Sequence, residues 1–344
     1  MPPGGDKMNW RKKEIFLKII KREGCGFVPC KVLINGKIWD ENAEYFEEIK
    51  NECKNVEIGI GRDPEREKEN FKEDNWGCLW HYPGNYLDGQ VIKHPLESWE
   101  NFNSYNPPDP LKNRNWEEEK KRIEKEKKEG LISGAGVEHG FFYLRLTYLR
   151  GFENLMIDIG MKELKLKKLI EILTEYWKVV IKKLVEFEPD IIYFADDLGH
   201  QNSLPMRPEI WRELIKPSYK EIFSICRRKN IEVYLHTDGY IVDIIPDLIE
   251  SGVTVLNLQD LVNGLDNIEK QVKDKVGIDL DIDRQKITVF GKPDDIDSHI
   301  KNCIEKLGSK YGGLLLIYGA YPGTPAENIG SVIKSMEKYC KLWC

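Results

Sequence analysis

Long apolar runs are missing from this 344-residue chain. A membrane-spanning helix needs roughly 20 consecutive apolar residues, and no stretch approaches that length. The opening residues, Met1-Pro2-Pro3-Gly4-Gly5-Asp6-Lys7, lack the apolar centre of a secretion signal. None of the eight cysteines forms a CxxC pair, which excludes a zinc ribbon and a thioredoxin-type motif. Cysteines so scattered in a chain of this length read as free thiols in a reducing compartment, so the expected location is the cytoplasm. No GxGxxG follows an apolar segment, which argues against a dinucleotide-binding sheet. A large charge of either sign is missing too. With 52 Lys+Arg against 58 Asp+Glu the formal net charge is −6, which is no footprint for nucleic acid.

What is present is enough apolar material for a sizeable core. Hydrophobic residues make up 41% and charged residues 32%, and this excludes a wholly disordered chain. Residues 8–23 carry a basic helical pattern, and 27–33 and 56–60 read as strands. From 62 to 115 the chain turns polar and aromatic, with Pro83, Pro95, Pro107, Pro108 and Pro110. Such an excursion either covers a site or is a surface insertion packed by Trp76, Trp80, Tyr82 and Trp99. Residues 117–129 are almost all Glu, Lys and Arg, a solvated helix with mixed-sign i,i+4 pairs.

From 131 the rhythm is regular. Strands are predicted at 131–137, 190–195, 231–235, 253–257, 276–280 and 314–317. Between them lie helices at 164–187, 207–229, 241–251 and 293–307, and a last one at 325–341. In 164–187 the apolar face is Leu166, Leu169, Ile170, Leu173, Trp177, Val180, Ile181 and Leu184. Strand and helix alternating over short links imply a parallel sheet. About eight strands in all predict the α/β class and a single (β/α)8 TIM barrel. The whole chain, 1–344, is read as one domain with its core at about 25–344, an N-terminal extension, and the aromatic, proline-rich insertion at about 62–115.

Polar residues recur just after each apolar strand. They are Glu138 and His139; Asp196, Asp197 and, on the same loop, His200; His236 and Asp238; Asn257 and Gln259; Asp279, Asp281 and Asp283; and Tyr318. In a barrel these strand ends converge on one mouth, where such folds place their chemistry. Singly each has a plain alternative, since a strand-end Asp often caps the next helix. Together, several acids and histidines at one mouth call for a cation or a polar ligand. His299 lies in a helix and is given no role.

The segments Phe194-Ala-Asp-Asp-Leu-Gly-His-Gln201, Arg207-Pro-Glu-Ile-Trp-Arg-Glu-Leu-Ile-Lys-Pro217, Leu235-His-Thr-Asp-Gly239 and Ile245-Pro-Asp-Leu-Ile-Glu-Ser-Gly252 resemble the uroporphyrinogen decarboxylase superfamily. So does Gly313-Leu-Leu-Leu-Ile317 followed by Tyr321-Pro-Gly-Thr-Pro-Ala-Glu-Asn-Ile329. The resemblance spans about residues 90–340 in unbroken order. It implies a (β/α)8 barrel and either porphyrinogen decarboxylation or methyl transfer involving corrinoid (cobalamin) proteins and thiol acceptors. True decarboxylases of the superfamily carry an Arg-Gln-Ala-Gly-Arg segment for the substrate's carboxylates. Here the matching region, Cys30-Lys-Val-Leu-Ile-Asn-Gly-Lys37, has no arginine to bind them in bidentate fashion. The chain is therefore similar to the methyltransferase-like branch.

That branch's zinc enzymes use His-x-Cys-Gly and a second Cys near the last strand. This sequence has His236-Thr-Asp-Gly239, and Tyr318-Gly-Ala320 near the last strand. The thiolates are absent, yet His236 and Asp238 are acceptable ligands for zinc or another divalent metal, in a site better suited to activating oxygen than a thiol. Asp238 acting as acid, base or direct substrate ligand is the alternative. The leading expectation is an enzyme that moves a methyl group between a small methylated compound, or a thiol, and a partner corrinoid protein. Asp197, His236 and Asp238 would be its catalytic residues. Glu138, His139, Asp196, His200, Asn257, Gln259 and Tyr318 would bind substrate. A decarboxylase or lyase acting on a small carboxylate, and a non-catalytic binding protein on the same barrel, are the competing expectations.

Overall fold

The computed structural model describes residues 9–344. The opening stretch read for a secretion signal, and the first residue of the 8–23 pattern, lie outside the described residues. Among the described residues the strands in chain order are β1 (Cys30–Asn35), β2 (Val56–Gly61), β3 (Glu69–Glu73), β4 (Leu79–Pro83), β5 (Gln90–Lys93) and β6 (Gly134–His139). They continue with β7 (Ile191–Ala195), β8 (Glu232–Thr237), β9 (Val255–Gln259), β10 (Gly277–Asp281) and β11 (Leu314–Ala320). Eight of these, β1, β2 and β6 to β11, are parallel strands with helices between them. The fold is α/β, of the (β/α)8 barrel class that the alternation predicts. No described helix is long and apolar enough to cross a membrane.

The chain divides into two compact units, one comprising residues up to Pro64 with Leu256–Cys344, the other Glu65–Val255. In the first, the strand order is β2-β1-β11-β10-β9, and Cys30 stands opposite both Val56 and Leu316. Cys30, Val32 and Ile34 project from one face of β1 and are fully buried, the two-residue period of a strand with a core side. In the second unit, β8-β7-β6 form one parallel group and β3-β4-β5 an antiparallel sheet. All eight apolar positions predicted for the long helix are buried in the observed helix Leu164–Val185.

Several boundaries differ from expectation. The predicted helix 207–229 is two helices, Pro208–Leu214 and Lys216–Arg227. Pro217 lies in the first turn of the second, where its missing N–H costs nothing but cannot continue the preceding ladder. The predicted 27–33 strand begins only at Cys30. Phe27 and Val28 are buried, but Val28 N donates to Cys340 O rather than to a neighbouring strand. The 62–115 segment holds a small sheet rather than irregular chain. Its signal was weak because the outer strands β3 and β5 are largely exposed, Phe71 being 60% and Ile92 51% accessible, so no polar–apolar alternation marks them. The parallel strands also run further than predicted at their C-terminal ends. Glu138, His139, His236, Gln259, Asp281 and Tyr318 belong to the ladders rather than to loops following them.

Candidate active site

Strand register assembles the site in the second unit. His139 at the end of β6 stands opposite Ala195 of β7, which stands opposite His236 of β8. Adjacent strands lie about 4.8 Å apart, so the two histidines flank the end of β7. Side chains alternate along an extended chain, so Asp197, two residues beyond Ala195, projects between them while Asp196 projects the other way. Between Gly136 and His139 the β6–β7 pairing slips, three residues of β6 answering two of β7. This is a bulge, a device that re-aims side chains at a strand end.

The resulting cluster is compact. Asp197 Oδ1 lies 3.4 Å from His139 Nε2 and 3.7 Å from His236 Nε2. Asp238 Oδ1 lies 3.8 Å from His236 Nε2, and the Asp238 amide donates to Asp197 Oδ1 at 3.2 Å. His139, Asp197 and His236 each offer one ligand atom, all within 4.8 Å of one another. The cluster is open to solvent on one side: the His139 side chain is 51% accessible and the other three between 25% and 33%. Desolvation by the walls around His139 disfavours its charge. The hydrogen bond and charge of Asp197, with Asp196 and Asp238 beyond, outweigh it and raise its pKa above the ordinary histidine value. Burial likewise pushes Asp197 up, but His139 and His236 together with the Asp238 amide bring it below the usual carboxylate range.

Asp196 does something different. It is fully buried and accepts from Tyr143 N at 2.5 Å, Leu144 N at 2.8 Å and Tyr219 Oη at 2.6 Å. It anchors the start of the helix Tyr143–Arg150, directly after the loop that follows His139. Burial raises its pKa to about 6, against the lowering effect of those three donors. The β7 and β8 loops are pressed together beside it. A Cβ on Gly239, at φ +84°, would meet Gly199 O at 2.0 Å.

Glu138 is not brought to the histidines. Its carboxylate accepts from Arg145 at 2.9 Å and from Trp76 Nε1 at 3.3 Å. Arg145 also donates to Asp74 at 3.1 Å, and Asp74 gathers Trp76 N, Cys78 N and Trp80 Nε1, each at 2.9 Å. The aromatic insertion is thereby tied to the end of β6. His200 is exposed, with its ring 5.4 Å from that of Phe152. Asn257, Gln259 and Tyr318 belong to the other unit. There Asn257 Nδ2 donates to Asp279 O at 2.7 Å, and the Tyr318 side chain is buried.

The sequence reading passed over two groups. One is Asp74 and Arg145, whose only signal was an arginine on an otherwise apolar helix face. The other is Asp260, His299 and Cys303 in the first unit, also within 4.8 Å of one another, signalled only by the four-residue spacing of His299 and Cys303.

Chemically, two imidazoles and a carboxylate with a second carboxylate beside them fit two uses. They can hold a divalent cation with oxygen- and nitrogen-preferring character, or they can relay a proton. A profile of the uroporphyrinogen decarboxylase family matches residues 78–339. No curated protein matches the chain. Among solved structures, a methyltransferase from Methanosarcina mazei is similar at 19% identity, covering 77% of this chain and 76% of that one with a TM-score of 0.58. A B12-independent methionine synthase from Shewanella sp. W3-18-1 is 10% identical, covering 92% and 97% with a TM-score of 0.46. A sugar phosphate isomerase/epimerase from Parabacteroides distasonis is 12% identical, covering 90% and 96% with a TM-score of 0.38. At 19% identity the likeness to the Methanosarcina methyltransferase is one of fold alone.

Proposed function

Since this chain belongs to the uroporphyrinogen decarboxylase family, we propose that it is a methyl-transfer enzyme whose reacting centre is the strand-end cluster of its second unit. The substrate is a small methylated compound or thiol, and the methyl group passes to or from a corrinoid carried by a partner protein. The observation that supports this reading is the convergence of His139, Asp197, His236 and Asp238 at adjoining ends of β6, β7 and β8.

The donor set suits a divalent cation such as zinc, held by His236 with Asp197, His139 and Asp238 in reach. When bound, such an ion polarises the substrate heteroatom. The chain's own residues do the rest. Asp197 orients both rings through one oxygen. Asp238 stands two residues beyond His236 and its amide steadies Asp197. His139, whose pKa Asp197 raises above the ordinary histidine value, is the group that would protonate the departing heteroatom as the methyl group leaves. Without thiolates the centre favours oxygen or nitrogen at the reacting position over sulfur.

The experiment is a spectral screen. Purified protein with zinc is mixed with methylcobalamin and a panel of small alcohols, phenols, amines and thiols, and loss of the methyl–cobalt chromophore is followed. Acceleration by at least one acceptor class, dependent on the enzyme, is expected. If the whole panel leaves the methyl–cobalt bond intact while direct assays show loss of CO2 from a small carboxylate, the decarboxylase reading takes over.

A further inference from the structure

In the first unit a second group of ligating side chains lies apart from any strand-end chemistry. Asp260 opens the short helix Asp260–Asn263 directly after β9. His299 and Cys303 lie four residues apart on the helix Pro293–Leu307, so they share one face a turn apart. Asp260 Oδ2 is 2.6 Å from His299 Nε2, and Cys303 Sγ is 3.7 Å from the same nitrogen. The Asp260 side chain is 1% exposed, that of His299 8%, and Cys303 is fully buried.

We infer that Asp260 Oδ2, His299 Nε2 and Cys303 Sγ form a buried structural site for a borderline divalent cation of the zinc class. One imidazole nitrogen faces both a carboxylate and a sulfur, and a single N–H serves only one of them. A cation at that point serves all three. The sulfur-to-nitrogen distance already matches a tetrahedral edge. Zn–N near 2.0 Å and Zn–S near 2.3 Å put the two ligand atoms about 3.5 Å apart. The aspartate–histidine contact has to open by less than about 1 Å.

Charge favours the ion as well. Carboxylate, thiolate and neutral imidazole sum to −2, which a divalent cation cancels, leaving no net charge in the interior. Binding forms the sulfur–metal bond as the S–H bond breaks, and one proton leaves to solvent. The carboxylate's outer support exists already: Asp283 N donates to Oδ2 at 3.2 Å and Leu261 N to Oδ1 at 2.5 Å. The donor set of one oxygen, one nitrogen and one sulfur selects zinc or cobalt over magnesium or calcium. Burial of all three ligands gives the ion a bracing role, fastening the turn after β9 to the helix Pro293–Leu307.

The test is to unfold the full chain in denaturant, refold it with Co2+ and remove the excess ion. Once chelator has also stripped the solvent-open strand-end cluster, about one equivalent should remain with a thiolate-to-cobalt charge-transfer band, released only when the protein is unfolded. The near-isosteric Cys303→Ser should lose the band while folding normally by circular dichroism. His236→Ala should keep it, since the strand-end cluster contains no sulfur, and this separates the site from the methyl-transfer reading. Wild-type chain refolded with Zn2+ and then stripped with chelator should keep a raised thermal midpoint that Cys303→Ser treated alike lacks. A wild-type chain without the band, or a band or midpoint rise that survives in Cys303→Ser, overturns the assignment.

Discussion

Replacing Arg145 with methionine separates a buried brace from a merely crowded corner. The guanidinium is 2% exposed, donates to Glu138 at 2.9 Å and Asp74 at 3.1 Å, and lies 4.8 Å from the Trp76 ring centre and 5.4 Å from that of Tyr148. Two hydrogen bonds to charged groups are worth about 1.5–3 kcal/mol each, and the stacking on Trp76 adds about 1 kcal/mol. The loss is moderated on one side because Glu138 is 45% exposed and rehydrates, and on the other because Asp74 keeps its three other donors. The lower end of the range therefore applies, a loss of about 3–4 kcal/mol from unfolding stability. Urea unfolding followed by tryptophan fluorescence measures it. Arg145→Lys, which keeps the charge without the planar fork, should lie between the two. The pairing with Glu138 should appear as a coupling of about 1 kcal/mol or more in the double-mutant cycle with Glu138→Gln. A loss below about 1 kcal/mol, or strictly additive variants, would show that the insertion is not fastened to β6 through this side chain.

Other outcomes follow from single observations. Folding raises Asp196 from its ordinary value to about 6, so the folded chain binds that proton more tightly. This destabilises the fold fully above about pH 6, by at most about 3 kcal/mol, and the destabilisation is relieved as pH falls from about 6 towards 4. Asp196→Asn should flatten that part of the stability–pH curve, and unchanged slopes between wild type and variant would contradict the assignment. Burial lifts Cys53 to about 11 and Cys78, Cys226 and Cys340 to about 12, while Cys344 is exposed. Native-state thiol titration at neutral pH should thus find Cys344 first and those four only on unfolding; rapid modification of Cys226 would be inconsistent with its packing. Gly239→Ala should cost about 2 kcal/mol or more, since it adds both left-handed strain and a clash with Gly199 O. A thermal midpoint equal to wild type would refute the close approach.

The periodic parts of the fold were legible in the sequence. The helix Leu164–Val185 declared its buried face residue by residue, and Pro293–Leu307 was predicted with its observed ends. The small sheet β3-β4-β5 was not, because β3 and β5 are largely exposed and β4 is half-buried along its length, so none shows a polar–apolar alternation. The strand-end rule brought His139, Asp197, His236 and Asp238 onto one shortlist. It set Asp197 among the catalytic residues and Asp196 among the substrate-binding ones, without foreseeing that the two-residue alternation turns one towards the histidines and the other into the helix start. It also could not tell that Glu138 pairs with Arg145, because that pairing depends on the bulge in β6 and on a residue in the insertion. His299 was set aside because a histidine within a helix carries no strand-end signal. Its relation to Asp260 is a contact across 39 positions.

The central claim, that methyl transfer occurs at the strand-end cluster, is tested most directly by the rate of demethylation of methylcobalamin in three proteins: wild type, His236→Ala and His299→Gln. With the best acceptor from the spectral screen, His236→Ala should fall by about 100-fold or more, as loss of a ligand or of an acid–base group implies. His299→Gln, if folded, should retain most of the wild-type rate. Full activity in His236→Ala, with both variants folded, would contradict the account.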